Sequence, residues 1–173
     1  MAARELLLLR HAKSRQGGPG VNDHNRALAP SGLEDAPRVG AYLKGAGLVP
    51  DRVLTSSATR ARQTTDLVLK AAGFEGEPKV RTELYLAKPP AILAAVRGLP
   101  NGCRRAMLVG HNPGLEQATL KLVGDGPPDL VDAVREKFPT AALVHLVFQA
   151  DAWGEAGFGK GSLQAFVRPR DLG

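Results

Sequence analysis

The chain has 173 residues, 43% of them hydrophobic, and 23 Lys and Arg against 17 Asp and Glu give a net charge of +6; this length suits one domain, 1–173, with a single sizeable core. No stretch approaches the ~18 consecutive apolar residues of a membrane span, the leading run Leu6–Leu9 is too short for a signal peptide, and a lone cysteine, Cys103, allows no internal disulfide, so a cytoplasmic protein with no membrane attachment is expected. The basic residues are scattered, with no run of like charge and no stripe interleaved with aromatics, which argues against nucleic acid and favours an anionic substrate as the reason for the charge.

Leu6–Arg10 is continuously apolar up to its last residue, the pattern of a strand buried on both faces. Gln16–Asn25, rich in Gly, Pro and Asn, reads as a loop. Ser31 and Glu34 have capping-box spacing and predict a helix over Gly32–Ala46, with Gly45 and Gly47 as terminators. Arg52–Thr55 is a short strand, Ala58–Ala72 a second helix ending at Gly73, and Lys79–Arg81 a brief edge strand. Pro89–Arg97 is a third helix, its prolines lying where a first turn tolerates them. Arg105–Gly110 is a further apolar strand, followed by a helix over Gly114–Val123 and a break at Gly124–Pro128. Ala141–Gln149 and Ser162–Arg168 form a hairpin through the Gly-rich Trp153–Gly161. Strands alternating with helices before a terminal hairpin predict a three-layer αβα sandwich. Its central sheet is expected to be mostly parallel, with at least one antiparallel strand.

In such a sheet ligands bind beyond the carboxyl ends of the strands, and reactive residues stand there. The first strand ends Leu9-Arg10-His11, the Arg105–Gly110 strand ends in His111, and Arg52–Thr55 runs through Ser56 and Ser57 to Arg60 in the first turn of a helix. Two histidines at matching strand ends, with arginines beside them, point to phosphoryl transfer. The guanidinium forks of Arg10 and Arg60 suit phosphate oxygens. The helix start after Asn112-Pro113-Gly114 favours an anion. Cationic surroundings depress an imidazole pKa, which keeps His11 neutral and nucleophilic. With arginines supplying the positive charge, neither metal nor cofactor is called for.

The motifs agree with this chemistry. Leu9-Arg10-His11-Ala12-Lys13-Ser14 resembles the Arg-His-Gly signature of the histidine phosphatase superfamily. The phosphohistidine-phosphatase branch is matched in order by Asp23-His24-Asn25-Arg26-Ala27-Leu28, by Leu54–Thr64, by Glu83-Leu84-Tyr85, by Val109–Gly114 and by Phe138–Ala142. The resemblance implies a phosphoglycerate mutase-like fold and His11 as a nucleophile that carries the phosphoryl group. Arg10, Arg60 and His111 complete the phosphate-binding core by the same resemblance, and Glu83 takes the place of a general acid for the leaving group. Arg26 is implied as a further phosphate ligand; Asn112 and the hydroxyl of Ser14 are candidates for the same task. The implied substrate is a phosphorylated protein, phosphohistidine foremost, or a small phosphorylated molecule. Phosphoglycerate mutase-like transfer is an alternative within the superfamily, and a noncatalytic phosphoprotein-binding module a remoter one. Ala12 departs from the signature glycine, and would be strained if its position required a positive φ.

Other motifs fail. Gly154–Gly161 nearly spells a P-loop but ends in Gly161 where Ser or Thr is required, and it joins two strands. Cys103 has Val109, not Arg, six residues on. There is no Asp-x-Asp, and no His-x-x-x-His pair for zinc.

Overall fold

The structure is a computed structural model and describes residues Ala2–Leu172. Its axis is β1 (Ala3–Arg10), in which Leu6, Leu7, Leu8 and Leu9 are all fully buried. Alternate side chains of a strand point to opposite faces. Leu6 and Leu8 therefore enter one core and Leu7 and Leu9 the other. Burial on both faces explains why the sequence shows an unbroken leucine run and no alternation.

The remaining elements follow as α1 (Pro30–Gly45), β2 (Arg52–Ser56), α2 (Thr59–Ala72), β3 (Lys79–Arg81), α3 (Pro89–Arg97) and β4 (Arg105–Gly110), then α4 (Gly114–Leu122), β5 (Val123–Asp125), α5 (Pro128–Glu136), β6 (Leu143–Gln149) and β7 (Gly161–Val167). Among the described residues seven strands lie in the order β3-β2-β4-β1-β6-β7-β5. Only β6 runs against the rest. Helices α1 and α2 cover the face of Leu7 and Leu9; α3, α4 and α5 cover the face of Leu6 and Leu8. This is the expected three-layer sandwich with a mostly parallel sheet. No helix among the described residues is long and apolar enough to cross a membrane.

The structure corrects three local expectations. Helix α1 begins at Pro30 without any side-chain cap, so Ser31 and Glu34 form no capping box. Proline at the first helical position has its φ preset and leaves no N–H to be satisfied. The stretch read as a break holds β5, and α5 follows it. Pro127-Pro128 signals a stop in sequence, yet Pro128 opens α5, which fully buries Val134 and packs Leu130, Val131 and Ala133 against the same core. The first strand of the hairpin starts at Leu143 rather than Ala141, because Ala141 has a φ of 62° and turns the chain. The hairpin's connection is also anchored: Trp153 is fully buried and its indole N–H donates to the Cys103 carbonyl at 2.8 Å. Cys103 is itself buried, and burial pushes its thiol up to about 11, which suits a core residue and not a nucleophile.

Helices α1 and α2 meet at Gly40, where a Cβ would stand 2.2 Å from the Val68 carbonyl oxygen. Backbone cannot yield there as a flexible side chain would. Gly40→Ala is expected to cost about 2–3 kcal/mol, seen as a fall in Tm on the order of 5–10 °C by calorimetry.

Candidate active site

The site is built by register. Arg10 pairs with Gly110 across parallel strands β1 and β4, so the next residue of each chain segment, His11 and His111, leaves the sheet at the same level. Their ring centroids are 5.2 Å apart. Strand β2 pairs Thr55 with Val109 on the other side of β4, which brings Ser56 beside His111; its Oγ lies 2.7 Å from His111 Nε2. The chain then turns into α2, whose first turn carries Arg60 inward, 2% exposed.

His11 has a defined tautomer. Its Nδ1 lies 2.8 Å from the Ala12 carbonyl oxygen, which can only accept, so Nδ1 carries the hydrogen and the lone pair is on Nε2. Burial foremost, then the charges of Arg60, Arg10 and Arg26, brings the His11 pKa down to about 4 against the raising effect of the Ala12 bond. Burial, with His11 and Arg60 adding to it, brings His111 down to about 3. Both rings are neutral at neutral pH. Ala12 carries no positive φ, and its side chain is buried among Leu9, Leu28 and the α1–α2 core. Its N–H donates to Thr64 Oγ1 at 2.9 Å, and Thr64 in turn donates to the Arg60 carbonyl at 2.7 Å. The alanine is therefore accommodated without strain, and it ties the backbone beside His11 to α2.

His11, His111 and Arg60 line a cleft of about 520 Å³ together with Arg10, Lys13, Ser14, Arg26, Asn112 and Thr140. Arg10, Lys13, Arg15, Arg26 and Arg60 face into it against one carboxylate, Asp23. Asp23 organises two of them. Its Oδ1 accepts from Arg26 Nε and Nη2 at 3.1 and 2.9 Å, and its Oδ2 accepts from Arg60 Nη2 at 3.1 Å. The Tyr85 hydroxyl donates to the same Oδ2. That bond foremost, with those of Arg26 and Arg60, holds the Asp23 carboxyl well below the usual carboxylate range. The cationic wall still has donors to spare. Among the described residues, Arg10 Nε, Arg60 Nε and His111 Nδ1 are buried and without a partner. A buried donor left unpaired costs free energy, and an anion in the cleft is the natural acceptor. No group of three or more His, Cys, Asp or Glu is gathered as a metal site among the described residues.

The structure brings together His11, Arg10, Arg60, His111, Arg26, Ser14 and Asn112. Two of these are already engaged. Ser14 Oγ accepts from Arg26 Nη1 at 2.8 Å. Asn112 donates to the Phe138 carbonyl at 2.9 Å and accepts the Glu116 N–H at 3.2 Å, so it fixes the start of α4 against the Phe138 turn. Arg10 shares that turn through a 3.0 Å bond to the same carbonyl. Glu83 is not brought in: its side chain is 54% exposed, its partner is Arg81, and it does not line the cleft. Sequence reasoning assigned no role to Asp23, Tyr85, Ser56 or Thr64. Asp23 and Tyr85 lie 62 positions apart and meet only in the folded chain; the one local hint was Asp23 and Arg26 within one polar loop. His24 stands at the rim, with Nε2 at 2.9 Å from Ser57 Oγ and its ring edge-on to Tyr85.

Comparison with known proteins agrees with this geometry. Residues 6–85 match the model of the Histidine phosphatase superfamily (branch 1). An uncharacterized protein of Mycobacterium tuberculosis is 32% identical over 94% of this chain and 100% of its own length. The solved structure of a candidate phosphohistidine phosphatase SixA from Nakamurella multipartitia superposes with a TM-score of 0.83 at 30% identity, covering 98% of each chain. A second candidate SixA, from Agrobacterium tumefaciens, gives a TM-score of 0.81 at 29% identity, covering 96% of this chain and 98% of that one.

The depressed histidines make stability depend on pH in a defined direction. Between the ordinary histidine pKa of ~6.5 and about 4, the unfolded chain takes up protons at these two positions that the folded chain refuses. Their contribution is therefore complete above about pH 6.5 and is lost as the pH falls toward about 4. The urea midpoint is expected to drop between pH 7 and pH 5, and to drop less in His111→Gln.

Proposed function

We propose that this phosphatase, which belongs to the histidine phosphatase superfamily, hydrolyses phosphohistidine on a protein substrate by way of a phosphoryl group held covalently on His11. The observation that carries the reading is the state of His11: neutral, its Nδ1 hydrogen spent on the Ala12 carbonyl, its Nε2 lone pair available in a cleft walled by arginines. Phosphate oxygens would take the free donors of Arg10, Arg60 and His111. Ser56 Oγ accepts the Ala58 N–H at 3.2 Å, and by donating its own proton to His111 Nε2 it sets the His111 hydrogen on Nδ1, where a phosphate oxygen accepts it.

In the first displacement Nε2 of His11 bonds to phosphorus as the bond to the substrate ring breaks. That ring, already protonated on its other nitrogen, leaves as neutral imidazole, and the positive charge passes to the phosphorylated His11, whose Nδ1 keeps its hydrogen. In the second, water attacks phosphorus, the bond to His11 breaks, and inorganic phosphate departs with neutral His11 restored. Splitting hydrolysis in this way replaces one difficult step with two easier ones. The cleft's acids favour a phosphoramidate over an alkyl ester. An alkoxide needs a proton on leaving, yet Asp23 is ionised and committed to Arg26, Arg60 and Tyr85, while Glu83 lies outside the cleft. Imidazole is a better leaving group and dispenses with such an acid.

Incubation with a 32P-phosphohistidine protein and rapid acid-free quench should place label on His11, chased as inorganic phosphate and not onto added phosphoglycerate. His11→Ala is expected to lower turnover by roughly 1,000-fold or more. Undiminished turnover in that variant would remove the nucleophile and the reading with it. Glu83→Gln should leave kcat on phosphohistidine within about twofold, because the leaving imidazole needs no acid from this position.

A further inference from the structure

Leu86 lines two clefts at once. One is the phosphate cleft; the other is an apolar groove of about 470 Å³ whose walls include Pro89, Pro90, Pro113 and Phe158. Leu86 is 54% exposed and Phe158 42%, two of the few large apolar side chains that face solvent. Leu86 also has a φ of 51°, the left-handed region that an L side chain adopts at a cost. Its neighbours hold it there. Tyr85 is drawn inward by Asp23 and stands edge-on to His111. The Ala87 carbonyl is packed so closely on Gly114 that a Cβ there would lie 1.8 Å from it. The turn is thus clamped between the site and the start of α4, and it presents leucine outward at the mouth of the cleft. Strain kept at a functional rim in order to display an apolar side chain calls for a ligand.

The groove's chemistry limits what that ligand is. Its lining contains no acidic residue, and Lys88 and Lys121 stand on it, with Lys121 Nζ 5.6 Å from the centre of the Phe158 ring. A sugar phosphate would bring hydroxyls to a surface of proline, leucine and phenylalanine, where among the side chains only Gln117 and the lysines could bond them. A second copy of this chain, itself carrying a net charge of +6, would set positive charge against the two lysines.

We infer that this groove is the docking surface for the protein substrate: it seats apolar side chains that flank the phosphorylated residue, with a carboxylate of the substrate against Lys88 or Lys121. The inference rests on the phosphatase reading above and names the partner that reading left general. The phosphate then binds by charge in one cleft while the adjoining groove reads the surface around it, and Leu86 is the shared wall.

Two peptides phosphorylated on a central histidine test it, one flanked by Leu and Glu, the other by Ser and Gln at the same positions, with phosphoramidate as a probe of the chemistry alone. The protein is expected to prefer the Leu/Glu peptide by about tenfold in kcat/KM, mostly through KM, as burial of one leucine side chain would give. Phe158→Ser combined with Lys121→Gln, neither residue touching the phosphate cleft, should erase most of that preference and keep phosphoramidate turnover within about twofold. Equal use of the two peptides, or a preference that survives the double variant, overturns the inference. So does self-association in sedimentation that Phe158→Ser abolishes, since the groove would then serve a second copy. Failure to turn over phosphoramidate at all would instead strike the phosphatase reading itself.

Discussion

Everything at the site depends on the pairing of β1 with β4. Because the two strands run parallel with Arg10 opposite Gly110, the histidines that follow them leave the sheet side by side. A slip of one residue in that register would turn the leucines of β1 to the wrong faces, and two cores hold it against such a slip. The two histidines are placed by the apolar packing of the sheet, not by polar contacts within the cleft. The arginines then need only local elements: β1 supplies Arg10 immediately before His11, and the first turn of α2 supplies Arg60.

That placement sets an electrostatic problem which the loop Asp23–Asn25 partly solves. Guanidinium groups converging on one cleft repel one another and add to the depression that burial imposes on the histidines, and a single carboxylate, Asp23, bridges Arg26 and Arg60 while Tyr85 holds it in position. The bridge is incomplete. Nε of Arg10, Nε of Arg60 and Nδ1 of His111 have no acceptor among the described residues, and an anion in the cleft is the group that would satisfy them. Burial foremost, with the arginine charges adding to it, keeps His11 unprotonated across the physiological range. The charge that favours an anion in the cleft thus also helps to keep that imidazole neutral.

How much of this the sequence displays depends on whether the determining contact is local. The leucine run of β1, the histidines that follow β1 and β4, and Arg10 beside His11 are each set by neighbours in the chain, and they read directly as strand, site and charge. Helix α5 escapes because two prolines, ordinarily stop signals, stand where one of them begins a helix, and because the helix is only nine residues long. Glu83 and Tyr85 show the other limit. They are two residues apart, within and just after a short 3-10 turn that buries Leu84, and that turn sends Tyr85 to Asp23 and His111 while Glu83 goes to solvent. Only the tertiary partner 62 positions earlier in the chain decides between them. The implied general acid is thus the residue whose assignment rested on position alone.

The placement of Glu83 bears on substrate choice more than on rate. A phosphatase that lacks a protonated group beside its leaving atom is restricted to leaving groups that depart without one. Its selectivity must then come from elsewhere. Five cations lining a cleft carry charge but little that would discriminate between phosphoryl donors. On the reading proposed, the acid-poor centre narrows the bond that is cut, and the charge concentrates anions at the cleft. What remains is to distinguish one phosphorylated surface from another. On this molecule the surface available for that task begins at Leu86, where the polar cleft ends and the apolar groove starts.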